Sequence, residues 1–583
     1  MGIDTRYHVP RWNGADSFAL GGDELVPWLD DGGGAWQPRA FAQGTSLVSI
    51  FRSRRGSSKI RVEKWVERNS GRVHFRTRDH RNRLTIYGAR PDAAARIADP
   101  ADESRTLAWL PELVLDPNGN ALFIEYVSET AEGVDFVNSF ERLTPSLAQR
   151  YLKRIRYGNV IPLSLDDALL SGTLPEDVAW AFQSVIDYGD HSDPNRPAAT
   201  ADRPWPVRDD PFSTYGNGFE VRTHRLCRRL LSFHEFAELG SQPQLTAMLS
   251  LEHAADPSGA TLTAVTYTGC RVDGGVPTAA SLPPIRMTYA PALDTNAAAF
   301  TGLSVQSMEN VPSGFATTTA QFVDLYGDGL SGIVSRGDRS WWYKQNLGGG
   351  EFGPLTAVAA GPLASAGGYL LTDIDSNGNT DFTQLFGQGA GRYELDRESS
   401  AWHPFRAFDE FPHVEALSRS ARWVDLNGDR RADLVVTHSD RFTWFASDGD
   451  GFKPPVDVPR PSGSDAIPTL SDDSSLDFVF ADMTGDGLAD MVRVHNGRVE
   501  YWPSLGGGAF GDAVVMEGAP QFTRDDEFDA SRIRFVDLDG SGTSDVVYLG
   551  NGAVSCWINA CGNRLLPGPT LAGLPYFDND SNV

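Results

Sequence analysis

The hydrophobic pattern along this chain is almost everywhere that of short strands. Residues 47–51, 59–65, 72–76 and 83–87 alternate polar and apolar side chains, the period of two expected of half-buried antiparallel strands, and they read as a meander. Residues 121–126, 261–267 and 285–289 continue the theme. Two stretches, 146–155 and 176–185, place apolar residues near a spacing of 3.6 and predict the main helices. The polar run at 187–211 predicts a surface loop.

After residue 290 the pattern becomes periodic. An acidic, Gly-rich loop of nine residues sits between two apolar runs and recurs five times, with leading residues Asp324, Asp373, Asp425, Asp482 and Asp537. The spacings are 49, 52, 57 and 55 residues. An aromatic follows each leading Asp by 18 to 20 positions: Trp342, Tyr393, Trp444, Trp502 and Trp557. A period of this length with several short apolar runs per copy predicts a β-propeller, one antiparallel sheet per repeat. The aromatics are expected to fill the wedges between blades, where a flat ring removes the most apolar area from water.

The predicted architecture is therefore all-β: a β-rich domain over 1–290, then a propeller over 291–583 with repeats at about 315–365, 366–415, 416–470, 471–525 and 526–575. One more spacing beyond Asp537 runs past Val583, and residues 574–583 resemble the lead-in to another copy. The propeller is accordingly expected to stop short of a sixth blade, leaving strand edges exposed.

Composition narrows the function. A net charge of -26, from 77 acidic and 51 basic residues, disfavours nucleic acid and anionic membranes as partners. No apolar run approaches the roughly 18 residues of a membrane span, and the opening residues are not a cleavable leader. Cys227, Cys270, Cys556 and Cys561 contain no CxxC pair and read as reduced and mostly buried.

The acidic loops present side-chain oxygens at positions 1, 3, 5 and 9, a spacing that hard cations such as calcium favour. The second copy offers Asp373, Asp375, Asn377 and Asp381, and the third Asp425, Asn427, Asp429 and Asp433. The fourth and fifth substitute Thr484 and Ser541, and in the first Tyr326 and Gly332 replace two ligands. The alternative is that these side chains cap their own turn, and both readings stand at this point. Residues 347–350 and 505–508, each Leu-Gly-Gly-Gly, lack the ending of a phosphate loop and read as blade turns. His234 starts a zinc-protease-like pattern, but Glu238 stands where the second His is needed. No catalytic constellation is present. Arg222, His224, Arg225, Arg228 and Arg229 form one basic cluster, read as a solvated face paired with acidic neighbours.

The same region carries a resemblance. Trp-Pro-Val-Arg-Asp-Asp-Pro-Phe-Ser-Thr-Tyr at 205–215 and Gly-Phe-Glu-Val-Arg-Thr-His-Arg-Leu-Cys-Arg-Arg at 218–229 resemble the B component of insecticidal toxin complexes and the related Salmonella virulence-plasmid B protein, SpvB. Residues 52–55, 62–65, 86–88, 185–191 and 282–284 agree, and the acidic repeats resemble FG-GAP/VCBS repeats. The resemblance implies an SpvB-type domain followed by a propeller that docks onto a pore-forming A component. It also implies a C component that helps enclose a toxic segment, with the propeller as the gate for that segment. A non-enzymatic, extracellularly acting carrier is the expectation, with calcium as the one candidate cofactor. A free-standing propeller adhesin and the carrier part of an ADP-ribosylating toxin are the alternatives.

Overall fold

In the computed structural model the chain divides into two compact units, Met1–Ala290 and Pro291–Val583. The structure describes all residues except 7, 32, 57–58, 142–145, 171–172, 176–177, 274–275, 291–301, 312–319, 337–340, 359–368, 386–388, 398, 400, 413–420, 439–440, 460–477, 526 and 574–583. The expected lead-in to a further blade therefore lies outside the described residues.

The first unit is dominated by one 19-stranded sheet. Its meander runs through strands Ser46–Ser53, Arg61–Glu67, Val73–Arg78 and Leu84–Tyr87, paired antiparallel in succession. Alternation does what the sequence pattern predicts: Val48 and Ile50 are buried while Leu47 is exposed. The cores beneath are built from Phe18, Val62, Phe75 and Trp109, and from Ile86, Leu113, Phe123 and Trp180.

Two expectations fail here. Residues 146–155 and 176–185 are not helices. Their described parts form strands Arg150–Asn159 and Trp180–Asp187, which pair with each other through Arg154↔Val185 and Tyr157↔Phe182. Tyr151, Ile155, Tyr157, Phe182 and Val185 are aromatic or β-branched, and such side chains favour a pleated surface over a helix. The described α-helices are two four-residue turns, Asp167–Leu170 and Val305–Met308. The polar run at 187–211 is a loop after Asp187, but it lies on the surface only in part, because Asp187, Tyr188, Asp190, His191, Trp205 and Asp210 are buried. Of the four cysteines, only Cys556 is buried.

The second unit is a five-bladed propeller. Its blades open on strands Ala320–Val323, Tyr369–Thr372, Ala421–Val424, Phe478–Ala481 and Ile533–Val536. Four blades have four strands, and the second has five. Each acidic loop joins the first two strands of its blade. The pair that closes this hairpin is equivalent throughout: Val323↔Gly332, Thr372↔Asp381, Val424↔Asp433, Ala481↔Asp490 and Val536↔Asp545. The Gly-rich runs at 348–350 and 506–508 are hairpin turns with positive φ, as expected.

Blades meet along apolar seams. Leu325, Trp341 and Tyr343 of the first blade pack with Phe382 and Leu395 of the second. Ile374 packs with Leu434, Phe445 and Phe452, and Leu426 and Phe442 pack with Met491, Trp502 and Phe510. In the first four blades the residue after the leading Asp, namely Leu325, Ile374, Leu426 or Met483, is at most 1% exposed, while Leu538 in the fifth is half-buried.

The aromatic landmark proves to be more than one structural position. Tyr393, Trp502 and Trp557 pair with Phe382, Met491 and Val546, each the residue just after loop position nine. Trp444 pairs one residue further on, with Val435, and Trp342 two further on, with Ser335. The matching positions in those blades hold Phe445 and Lys344. Trp502 is 2% exposed within the third seam, Tyr393 and Trp444 are half-buried against seams, and Trp557 is half-buried with its ring on Phe522. Trp342 is 38% exposed, and its neighbour Trp341, at 4%, fills the first seam instead. Trp502→Ala is expected to destabilise the propeller by about 3–5 kcal/mol and Trp342→Ala by less than about 1 kcal/mol, measured by chemical denaturation.

Candidate functional site

The acidic loops lie side by side along one edge of the propeller. Their backbone needs positive φ at positions four and six: Gly485 and Gly487 have φ of 76° and 88°. Where glycine is missing, Ser376 and Arg430 adopt φ of 58° and 69°, a conformation that L-residues enter at a cost of about 1–2 kcal/mol. Successive loops touch. Thr380 Oγ1 donates to Asp324 O, Ser376 Oγ to Arg430 O, and Ser544 N to Asp482 O, at 2.5, 2.5 and 2.7 Å.

Each leading Asp caps its own turn. Asp373 accepts from Asn377 N and Gly378 N, Asp425 from Asn427 N, Gly428 N and Arg430 N, and Asp537 from Gly540 N, Ser541 N and Gly542 N. The ninth residue works differently. Asp381, Asp433, Asp490 and Asp545 are fully buried. One carboxylate oxygen of each takes the N–H of the second loop residue: Ile374, Leu426, Met483 or Leu538. In the last three blades the other oxygen takes the N–H fourteen residues on, from Ser447, Ser504 or Asn559, at 2.8 Å each. In the first blade Gly332 holds this position because the Tyr343 hydroxyl occupies the space a Cβ would need.

A hard cation fits these loops unequally. In the second, the Arg392 guanidinium pairs with both Asp375 and Asp381, where an ion would have to displace it. In the third, Asp433 already accepts from Leu426 N, Asn427 Nδ2, Trp444 Nε1 and Ser447 N, while Asp429 accepts from Arg431 N. Asp373, Asp375 and Asp381 of the second loop gather with ligand atoms within 4.8 Å of one another, and so do Asp537, Asp539 and Asp545 of the fifth, which the sequence did not single out.

Burial pushes the Asp381 and Asp433 carboxyls up to about 7. In Asp433 four N–H donors oppose this. In Asp381 the main opposition comes from the Arg392 guanidinium, while one carboxylate oxygen has no hydrogen-bond partner.

In the first unit the basic cluster is not a solvated face. Arg222, His224 and Arg225 are buried. Arg225 Nη2 donates to Glu129 Oε1 at 2.5 Å and Arg222 Nη2 to Glu141 Oε1 at 2.7 Å. His224 lies between the two carboxylates, at 3.7 Å from Glu129 and 3.4 Å from Glu141. Tyr151 Oη donates to Glu129, and the Arg225 guanidinium lies 4.6 Å from the Trp205 ring centre. Burial opposes charge on His224, and the two carboxylates outweigh it, holding its pKa above the ordinary value. Acidic pairing was legible in the sequence; complete burial was not. Only Arg228 and Arg229 stay half-exposed.

With this geometry described, the known relatives can be placed. Residues 3–236 match the Salmonella virulence plasmid 65kDa B protein family, and residues 425–493 match the FG-GAP-like repeat. The mono(ADP-ribosyl)transferase SpvB of Salmonella typhimurium is 37% identical over 264 residues, 43% of this chain and 44% of that protein. The chain thus spans less than half the length of the curated relatives it matches. A chain of the Photorhabdus luminescens Tc holotoxin pore is 27% identical and superposes with a TM-score of 0.83, covering 99% of this chain and 27% of that one. The TcdB2–TccC3 crystal structure gives 26% identity and a TM-score of 0.74, covering 99% and 28%.

Two outcomes follow from this geometry. A carboxyl whose pKa is raised on folding contributes stability that is present at low pH and lost as pH rises through the folded value. Propeller stability should therefore fall between about pH 4 and pH 7, and Asp381→Asn should flatten that fall in melting curves taken across the range. Arg225→Ala strands the Glu129 carboxylate in the interior and should cost the first unit about 3–5 kcal/mol in denaturation.

Proposed function

We propose that this chain, a protein similar to the B component of toxin complexes, with an SpvB-type unit followed by a five-bladed propeller, works as a carrier and docking subunit. The observation that carries this reading is the superposition, along 99% of the chain, on part of an assembled holotoxin pore. In this reading the propeller binds the pore-forming A component and gates passage of a toxic segment, which a C component helps to enclose. The chain acts outside the producing cell and carries no catalytic chemistry of its own. The chemistry of its charged clusters agrees with that role. Glu129, Glu141, Arg222, His224 and Arg225 are buried and committed to one another, and the loop carboxylates are committed to backbone N–H groups. These groups hold a scaffold and leave no nucleophile or general base poised toward a substrate.

Mixing the chain with a toxin-complex A component tests the proposal. Co-elution as a single species on size exclusion is expected. Failure to associate at micromolar concentrations of both proteins would sink the docking role. A second reading follows from the 37% identity to SpvB: the chain serves as the carrier part of an ADP-ribosylating toxin. In that reading the chain binds no A component, so the same mixing experiment separates the two readings.

A further inference from the structure

A cavity of about 410 Å³ opens in the first unit where strand Trp180–Asp187 ends, lined among others by Asp187, His191, Arg203, Arg228, Arg229 and Ser250. Such a volume suits a small ligand. Two acidic groups stand at it, and both are already neutralised. Asp187 pairs with Arg229, and Asp190 accepts from Lys153 Nζ at 2.6 Å. The remaining hydrogens of Arg229 go to the carbonyls of His191, Asp193 and Pro194.

That leaves charge of the other sign uncompensated. Arg203 spends its Nε on Gly189 O at 2.6 Å and has no carboxylate partner among the described residues. The Arg228 side chain has neither hydrogen bond nor ion pair among them. In a chain of net charge -26, two guanidinium groups, Arg203 exposed and Arg228 half-exposed, stand at one concave site without acids among the described residues. His191 adds a second, independent sign of a missing partner. It is 1% exposed, and neither ring nitrogen has a hydrogen-bond partner. Its Nε2 stands 3.8 Å from Asp190 Oδ1, beyond hydrogen-bond reach. A buried imidazole without partners is destabilising, and a bound acceptor would relieve that cost. Burial and the nearby Lys153 hold its pKa below the ordinary value, so the ring is neutral and has one N–H to donate.

We infer that this pocket binds an oxyanion, a carboxylate or phosphate group on a small ligand, held by Arg228 and Arg203 with His191 as a neutral donor. A divalent metal is the competing reading of Asp187, Asp190 and His191, whose ligand atoms lie within 4.8 Å of one another. It is disfavoured because Lys153 and Arg229 already occupy both carboxylates, and the ion would add two positive charges beside four cations. The site stands apart from the docking role proposed above, so either can fail without the other.

Calorimetric titration of the full chain at constant ionic strength decides the matter, with inorganic phosphate in one arm and acetate in the other. Saturable single-site heat is expected from at least one, and the responding arm identifies the group. Arg228→Gln should weaken binding about tenfold or more, and Arg228→Lys should retain part of it. The melting curve should not change in either variant, because Arg228 has no partner to lose. His191→Asn should weaken the same heat. Absence of saturable heat in both arms, binding by Arg228→Gln equal to that of the parent, or zinc binding that abolishes the anion heat would each overturn the inference.

Discussion

The propeller depends on a buried carboxylate at the ninth loop position. It ties the start of one loop to the strand after the loop and, in three blades, to the backbone N–H fourteen residues on. A buried charge is costly unless hydrogen-bonded, so the loop must fold tightly enough to bring those N–H groups inward. The positive φ at positions four and six, and the glycines there, belong to the turn that the leading Asp caps within the same loop. The buried carboxylate sets the apolar second residue inside the seam, since that residue's N–H must point back at the carboxylate. The first blade solves the same problem with a tyrosine hydroxyl in place of the acid.

This locality explains what could be read before the structure was seen. Blade number, loop position and hairpin closure follow from residues within nine positions of each other, and all three were legible. The aromatic landmark misled because a window of 18 to 20 positions conceals slips of one and two residues. Only a spacing of 20 returns one ladder position, and at that spacing the first and third blades hold Lys344 and Phe445. Lys344 is buried, with Nζ on the carbonyls of Glu309 and Gly353. The two mistaken helices show the same weakness of short apolar spacing, where tyrosine, phenylalanine and valine content was the better guide.

The charged core of the first unit was hidden for the opposite reason. Arg225 meets Glu129 across 96 positions, and Arg222 meets Glu141 across 81. No local pattern announces such a pair, and a run of arginines reads as surface until its partners are found. The stretch that carries the family resemblance is this same run. The run has a physical role in folding: removing one partner leaves the other charged and buried. Arginine suits the task because its fork meets a carboxylate with two parallel bonds.

The arrangement of the loops gives the propeller an electrical polarity. Asp328, Asp375, Asp429, Asp486 and Asp539 all sit in the turns between first and second strands, and all retain some exposure to solvent. Formal negative charge is thereby gathered along one edge of the ring. A field of this kind extends about 8–10 Å at physiological salt and acts on an approaching molecule before any contact forms. It turns a cationic surface toward that edge and an anionic one away. The loops that close the blades thus also bias which face of the propeller an incoming protein meets first, a form of orientation that requires no shape complementarity.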